Sequence, residues 1–91
     1  MANGIASIGE CMLELSGQRA PIWRMGFAGD TFNTLWTMRA LSSGHHVDYV
    51  SAFGDDPFSQ DQIAFFREHD IGIASSPIIA GARPGLYAIT L

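Results

Sequence analysis

Ninety-one residues, 47% of them hydrophobic and 15% charged, suit one small globular domain and exclude a disordered tail. A net charge of −4 at pH 7, with no basic run, argues against nucleic acid or an anionic membrane as partner. The lone cysteine, Cys11, excludes an internal disulfide, and its apolar neighbours predict a buried, inert thiol.

No basic segment precedes an apolar one at the start, and no apolar run reaches membrane-spanning length, so a soluble, cytoplasmic protein is expected. Ile5 to Gly9 reads as a first strand. From Glu10 to Ser16 the chain alternates, with Cys11, Leu13 and Leu15 on one face and Glu10, Met12, Glu14 and Ser16 on the other; this is the period of a half-buried strand. Residues 16–21 form a turn, and Ile22 to Phe27 a second short strand. Asp30 or Thr31 then caps a helix from Phe32 to Leu41, with apolar positions 32, 35, 36 and 40. Ser42-Ser43-Gly44 ends it.

Val47 to Phe53 reads as a strand. Asp56 as cap and Pro57 in the first turn start a helix that runs from about Phe58 to His69. Ile71-Gly72-Ile73 begins another strand, Pro77 to Ala80 is strand-like, and residues 81–85 turn into a final strand, Leu86 to Leu91. Strands alternating with helices imply an α/β fold with a parallel sheet. The hairpin pieces imply a small second sheet beside it. The chain stops inside an apolar strand, which points to a truncated product.

The segment Gly26-Phe27-Ala28-Gly29-Asp30-Thr31-Phe32-Asn33-Thr34 carries the most chemistry. Gly29, just before a helix, lets backbone approach a ligand closely. The free N–H groups of a first helical turn donate to hydroxyls or anions. Asp30 accepts from hydroxyls, and Asn33 offers both a donor and an acceptor. Together they make a polyol-binding corner. No Gly-Lys-Ser/Thr follows, so it is not a phosphate loop.

The same segment resembles the first signature of the ribokinase-like (pfkB-type) sugar kinases, in which a small-residue–glycine pair precedes an Asn at a helix start. Ala28-Gly29 and Asn33 match; Thr31 stands where a small residue is usual. Residues 8–16, Gly29 to Thr34, Val47 to Val50, Gly54-Asp55-Asp56 and Pro84-Gly85-Leu86-Tyr87 are similar, in order and spacing, to the 2-keto-3-deoxygluconate kinases.

The resemblance covers nearly the whole chain and implies the amino-terminal portion (1–91) of a ribokinase-like domain. It places β-lid strands near 11–27 and 77–91, the lid often serving as a dimer interface. The implied activity is transfer of the ATP γ-phosphoryl group to 2-keto-3-deoxygluconate, with ATP and Mg²⁺ held by a carboxy-terminal part. The catalytic base is expected in that part too, so this chain alone is expected to be inactive. The implied substrate contacts are Gly29, Asp30, Thr31 (through its backbone N–H), Asn33 and Tyr87, and the implied partners are the sugar acid and a second copy joined through lid strands. Another sugar or nucleoside kinase, such as a fructokinase, or a non-catalytic binding fragment are the alternatives.

Plainer readings suffice elsewhere. Glu14 lies where some family members place a substrate-facing acid, and a solvated or lid-facing strand surface explains it equally well. Asp55-Asp56 is a helix start rather than a metal pair. His45-His46 lacks a third ligand at metal spacing. Trp23 and Trp36 read as core or lid-packing residues.

Overall fold

Val47, Tyr49, Leu35 and Phe66 are each fully buried, and the elements that carry them define the core. The computed structural model describes residues 4–18, 22–41 and 44–90. Strand β1 (Gly4–Ile8) leads through Gly9-Glu10 into β2 (Met12–Gly17), β3 (Arg24–Ala28) and helix α1 (Asp30–Leu41). Strand β4 (His46–Val50), helix α2 (Pro57–Glu68) and strand β5 (Leu86–Thr90) follow.

β1 and β4 pair in parallel, Ile5 opposite Val47 and Ser7 opposite Tyr49. α1 is the crossover that such a pair requires. The second sheet has the order β3-β2-β5. β2 runs antiparallel to β3, with Glu14 opposite Gly26, and parallel to β5, with Glu14 opposite Tyr87. A core sheet joined to a second sheet built from the hairpin pieces is the architecture the sequence predicts.

α2 forms where its start signals place it. Asp56 is extended (φ −76°, ψ 168°), its side chain accepts from the Ser59 N–H, and Pro57 occupies the first turn, where a missing N–H costs nothing. Phe66 faces inward, stacked on Tyr49 with ring centroids 5.2 Å apart and an interplanar angle of 12°. Phe32, Phe53 and Ile71 complete the cluster. Each fully buried side chain of this size contributes roughly 1.5–3 kcal/mol. Phe58, an expected apolar position of the helix, is 48% exposed instead.

Four expectations are corrected. The cap of α1 is Gly29, whose carbonyl accepts the first helical bond from the Asn33 N–H at 2.7 Å; Asp30 and Thr31 are already helical. β4 ends at Val50 rather than at Phe53. Residues 71–73 give only one bridge, Gly72 to Asp48, and 77–80 only one, Ile78 to Phe53. The cause is a turn between the two bridges, closed by the Ser76 N–H on the Ile73 carbonyl at 2.9 Å. It takes the backbone out of register, and the Ser76 hydroxyl fills the gap. It accepts from the Ser51 N–H and donates to the Tyr49 carbonyl, both at 2.9 Å. The expectations at residues 42–43 and at Leu91 lie outside the described residues.

Candidate functional site

Gly29 sits where the chain re-enters the core from the outer sheet. Its φ is +144°, and a Cβ there would come to 2.5 Å from the Glu10 carbonyl oxygen. Two chain crossings therefore touch backbone to backbone, and only glycine permits it. Asp30, in the first turn, is exposed, at the end of the helix dipole that favours an anion.

Thr31 points the other way. Its hydroxyl is 2.8 Å from the Tyr49 hydroxyl, and its carbonyl accepts from Ser7 Oγ at 3.0 Å. Burial pushes the Tyr49 phenol above its ordinary range. The Thr31 side chain thus ties α1 to the β1–β4 sheet, and only its backbone is left for a ligand.

Asn33 is exposed, one turn along. It lines a cavity of about 470 Å³ together with Met25, Gly26, Phe27, Phe32, Trp36 and Phe65. Trp36 and Phe65 stack at 5.4 Å, and Phe27 meets Phe65 edge-on at 5.2 Å. The cavity is therefore largely apolar, with the Asn33 amide as a polar group on its wall.

Tyr87 stands across β2 from this cavity. Its hydroxyl donates to the Glu14 carboxylate, and the strand register puts Glu14, Tyr87 and Gly26 on one face of the sheet. The bond to Glu14, then burial, then the charges of Glu14 and Asp30 hold the phenol above its ordinary range. A Cβ at Gly26 would meet nothing within 4 Å, so the space over the sheet beside Glu14 is open. The structure thus brings Tyr87 and Glu14 together on one face of the sheet, with Asp30 near enough for its charge to act on Tyr87, while Asn33 lines the cavity beside Gly26. Thr31 is turned away. Sequence reasoning left Glu14 undecided; the local alternation showed which face it shares but could not show a partner 73 residues away.

The remaining polar motifs are tied up structurally. Asp55 accepts from the Gly81 N–H at 3.0 Å. Asp56 accepts from Ser59, first from its hydroxyl and also from its backbone, which holds its carboxyl below the usual range. His46 Nε2 lies 3.0 Å from the Asp48 carboxylate at an exposed position. Gln62 is a buried polar group that the sequence reading did not single out. It donates to the Cys11 carbonyl at 2.9 Å and so pins α2 to the start of β2. Burial, helped by the charge of Glu10, pushes the Cys11 thiol up to about 12.

The model of the pfkB family of carbohydrate kinases matches residues 2–91. The chain belongs to that family. The 2-dehydro-3-deoxygluconokinase of Escherichia coli K12 is 38% identical over 91 residues, covering 98% of this chain and 29% of that protein. The enzyme of the same name from Dickeya dadantii is 39% identical over 89 residues, covering 96% of this chain and 28% of the relative. This pfkB-family chain therefore spans less than a third of these relatives' length. Among solved structures, the fructokinase of Xylella fastidiosa with bound ATP superposes with a TM-score of 0.87 at 21% identity, over all of this chain and 28% of that one. The 2-dehydro-3-deoxygluconokinase of Thermotoga maritima gives 0.80 at 17% identity, over 94% of this chain and 27% of that one. The ribokinase-like fold is thereby established.

Proposed function

We propose that this chain is the substrate-positioning portion of an ATP-dependent kinase for 2-keto-3-deoxygluconate. The carrying observation is sequence identity of 36–39% to 2-dehydro-3-deoxygluconokinases across at least 96% of the chain. The geometry supports it. Asn33 on the wall of a largely apolar cavity, and Tyr87 with Asp30 near enough for its charge to act on the phenol, supply polar groups beside apolar surface, as a polyol with a hydrocarbon backbone requires. Gly29 lets the helix start approach the sugar, and Thr31 contributes through its backbone N–H. The three-stranded sheet acts as a lid over the substrate, and its outer strands, bearing exposed Met25, Leu86 and Ile89, join a second copy.

The helix start behind Gly29 does not suit a triphosphate. It carries Asp30, whose charge opposes such a group, and no Lys follows it. In this proposal ATP, Mg²⁺ and the catalytic base belong to the portion found in the relatives beyond this chain's match. What these 91 residues contribute to phosphoryl transfer is orientation of the acceptor hydroxyl, a large part of the acceleration in such reactions.

The test uses two proteins: the chain itself, and a hybrid in which it replaces the matching stretch of the E. coli relative. ADP release is followed with 2-keto-3-deoxygluconate and with fructose. The hybrid is expected to phosphorylate the sugar acid, and the chain alone neither sugar. Preference for fructose would replace the substrate assignment with a fructokinase. Turnover by the chain alone, abolished by a substitution within it, would overturn the division of labour.

A further inference from the structure

The Tyr87 hydroxyl carries one proton, and that proton is committed. It is donated to Glu14 across a pair fixed by the parallel register of β2 and β5. A phenol that donates to a carboxylate has only its lone pairs left to offer. Glu14 and Asp30, when ionised, are acceptors only. Both stand close enough to Tyr87 for their charges to act on it. Beside the pair, the open space over Gly26 leaves room for a ligand on that face.

We infer that Glu14 is a positioning residue that fixes Tyr87 as a hydrogen-bond acceptor, so that this wall reads substrate hydroxyls and turns away a carboxylate. The inference rests on the sugar-kinase reading above and deepens it. A sugar acid then binds with its polyol end against Asp30 and Tyr87 and its carboxylate directed elsewhere. An anion next to two carboxylates and a phenol without a free proton would find no donor and two like charges. A sugar hydroxyl brings the donor that Asp30 and the Tyr87 lone pairs need.

The test has two arms. In the first, the chain is labelled with ¹³C-tyrosine and titrated by NMR, with Tyr87 assigned through Tyr87→Phe. In Glu14→Ala, the Tyr87 phenol is expected to ionise closer to its ordinary range, while Tyr49 is unmoved. An unchanged Tyr87 titration overturns the inference.

The second arm uses the hybrid kinase and whichever sugar it phosphorylates, with melting followed for every variant. Glu14→Ala is expected to raise KM for the sugar about threefold to tenfold, the range of one lost hydrogen bond. KM for ATP should hold. Glu14→Gln, which keeps an acceptor oxygen, should restore most of the loss. In a Tyr87→Phe background, Glu14→Ala should have no further effect, because Glu14 acts through the phenol. An equal effect in both backgrounds, no effect in either, or no rescue by Gln overturns the inference. A hybrid that phosphorylates no sugar overturns the kinase reading itself. An active hybrid without the coupling overturns this inference alone.

Discussion

The two sheets are held together by different means. The β1–β4 sheet sits under a continuous apolar cluster in which Val47, Tyr49, Leu35 and Phe66 are fully buried. In the β3-β2-β5 sheet only Leu13 and Ala28 are buried, and Met25, Leu86 and Ile89 are exposed. The outer sheet therefore depends on its backbone ladders and on a few ties to the core. These are the Gln62–Cys11 hydrogen bond, the Phe27–Phe65 contact and the Gly29 crossing. Regions with few buried apolar contacts open at lower free energy than the core. The proposed binding surface is thus carried on the part of the molecule that can shift without unfolding the rest.

The sharpest way to break this contrast is Phe66→Ala. Phe66 stacks on Tyr49 and meets Phe32 and Phe53 edge-on. Its truncation should cost about 3–5 kcal/mol, enough to unfold a small domain in a thermal melt. A cooperative melt near the wild-type temperature would refute the core assignment. Gln62→Leu should cost less, about 1–3 kcal/mol, because it strands the buried Cys11 carbonyl. Hydrogen exchange should then accelerate in β2 before it does in β4. Uniform acceleration would mean that the two sheets open together.

Alkaline pH acts on the core as well. The Cys11 thiol is raised from 9.0 to about 12, and Tyr49 is also raised by burial. Both stay protonated in the fold longer than in the unfolded chain. Their contribution is therefore full below about pH 9 and is lost as pH rises toward 12. Melting temperatures recorded from pH 7 to 11 should fall progressively above 9, and Cys11→Ala should soften the fall. The same burial predicts negligible thiol modification of the native chain at neutral pH.

The smallest effect on stability belongs to the site. Asn33→Ala should leave the melt nearly unchanged, because the residue is exposed. In the hybrid it should raise KM for the sugar acid about threefold to tenfold. Unchanged kinetics would reduce this segment to a helix start. Gly29→Val cannot make that distinction, since the substitution strains the backbone and strikes Glu10 whatever the ligand does.

Much of this was legible locally. Asp56 and Pro57 announce α2, and the alternation from Cys11 to Leu15 announces β2, because caps and periods act over a few residues. The cap of α1 was misread because Asp30 is a good capping residue, while the tertiary approach of Glu10 selects Gly29. The strand expected at 71–73 shrank to a bridge because Ser76, three residues beyond, substitutes its hydroxyl for a backbone rung. Gln62 reads as a polar helix residue until its partner, Cys11, is known. The Glu14–Tyr87 pair depends on a parallel register that no local pattern encodes.

That pairing also orders events in time. Glu14 and Tyr87 are separated by 73 residues, so β2 cannot find β5 until residues 86–90 have been synthesised. A nascent chain can form the β2–β3 hairpin early, but one edge of β2 must wait with its N–H and C=O groups unpaired. Closing so long a loop is slow relative to forming local contacts. The strand that completes the proposed sugar-facing wall therefore arrives after the other described strands and helices. Ribosome-bound intermediates stalled before Leu86 should be the species most prone to capture by a chaperone or by one another.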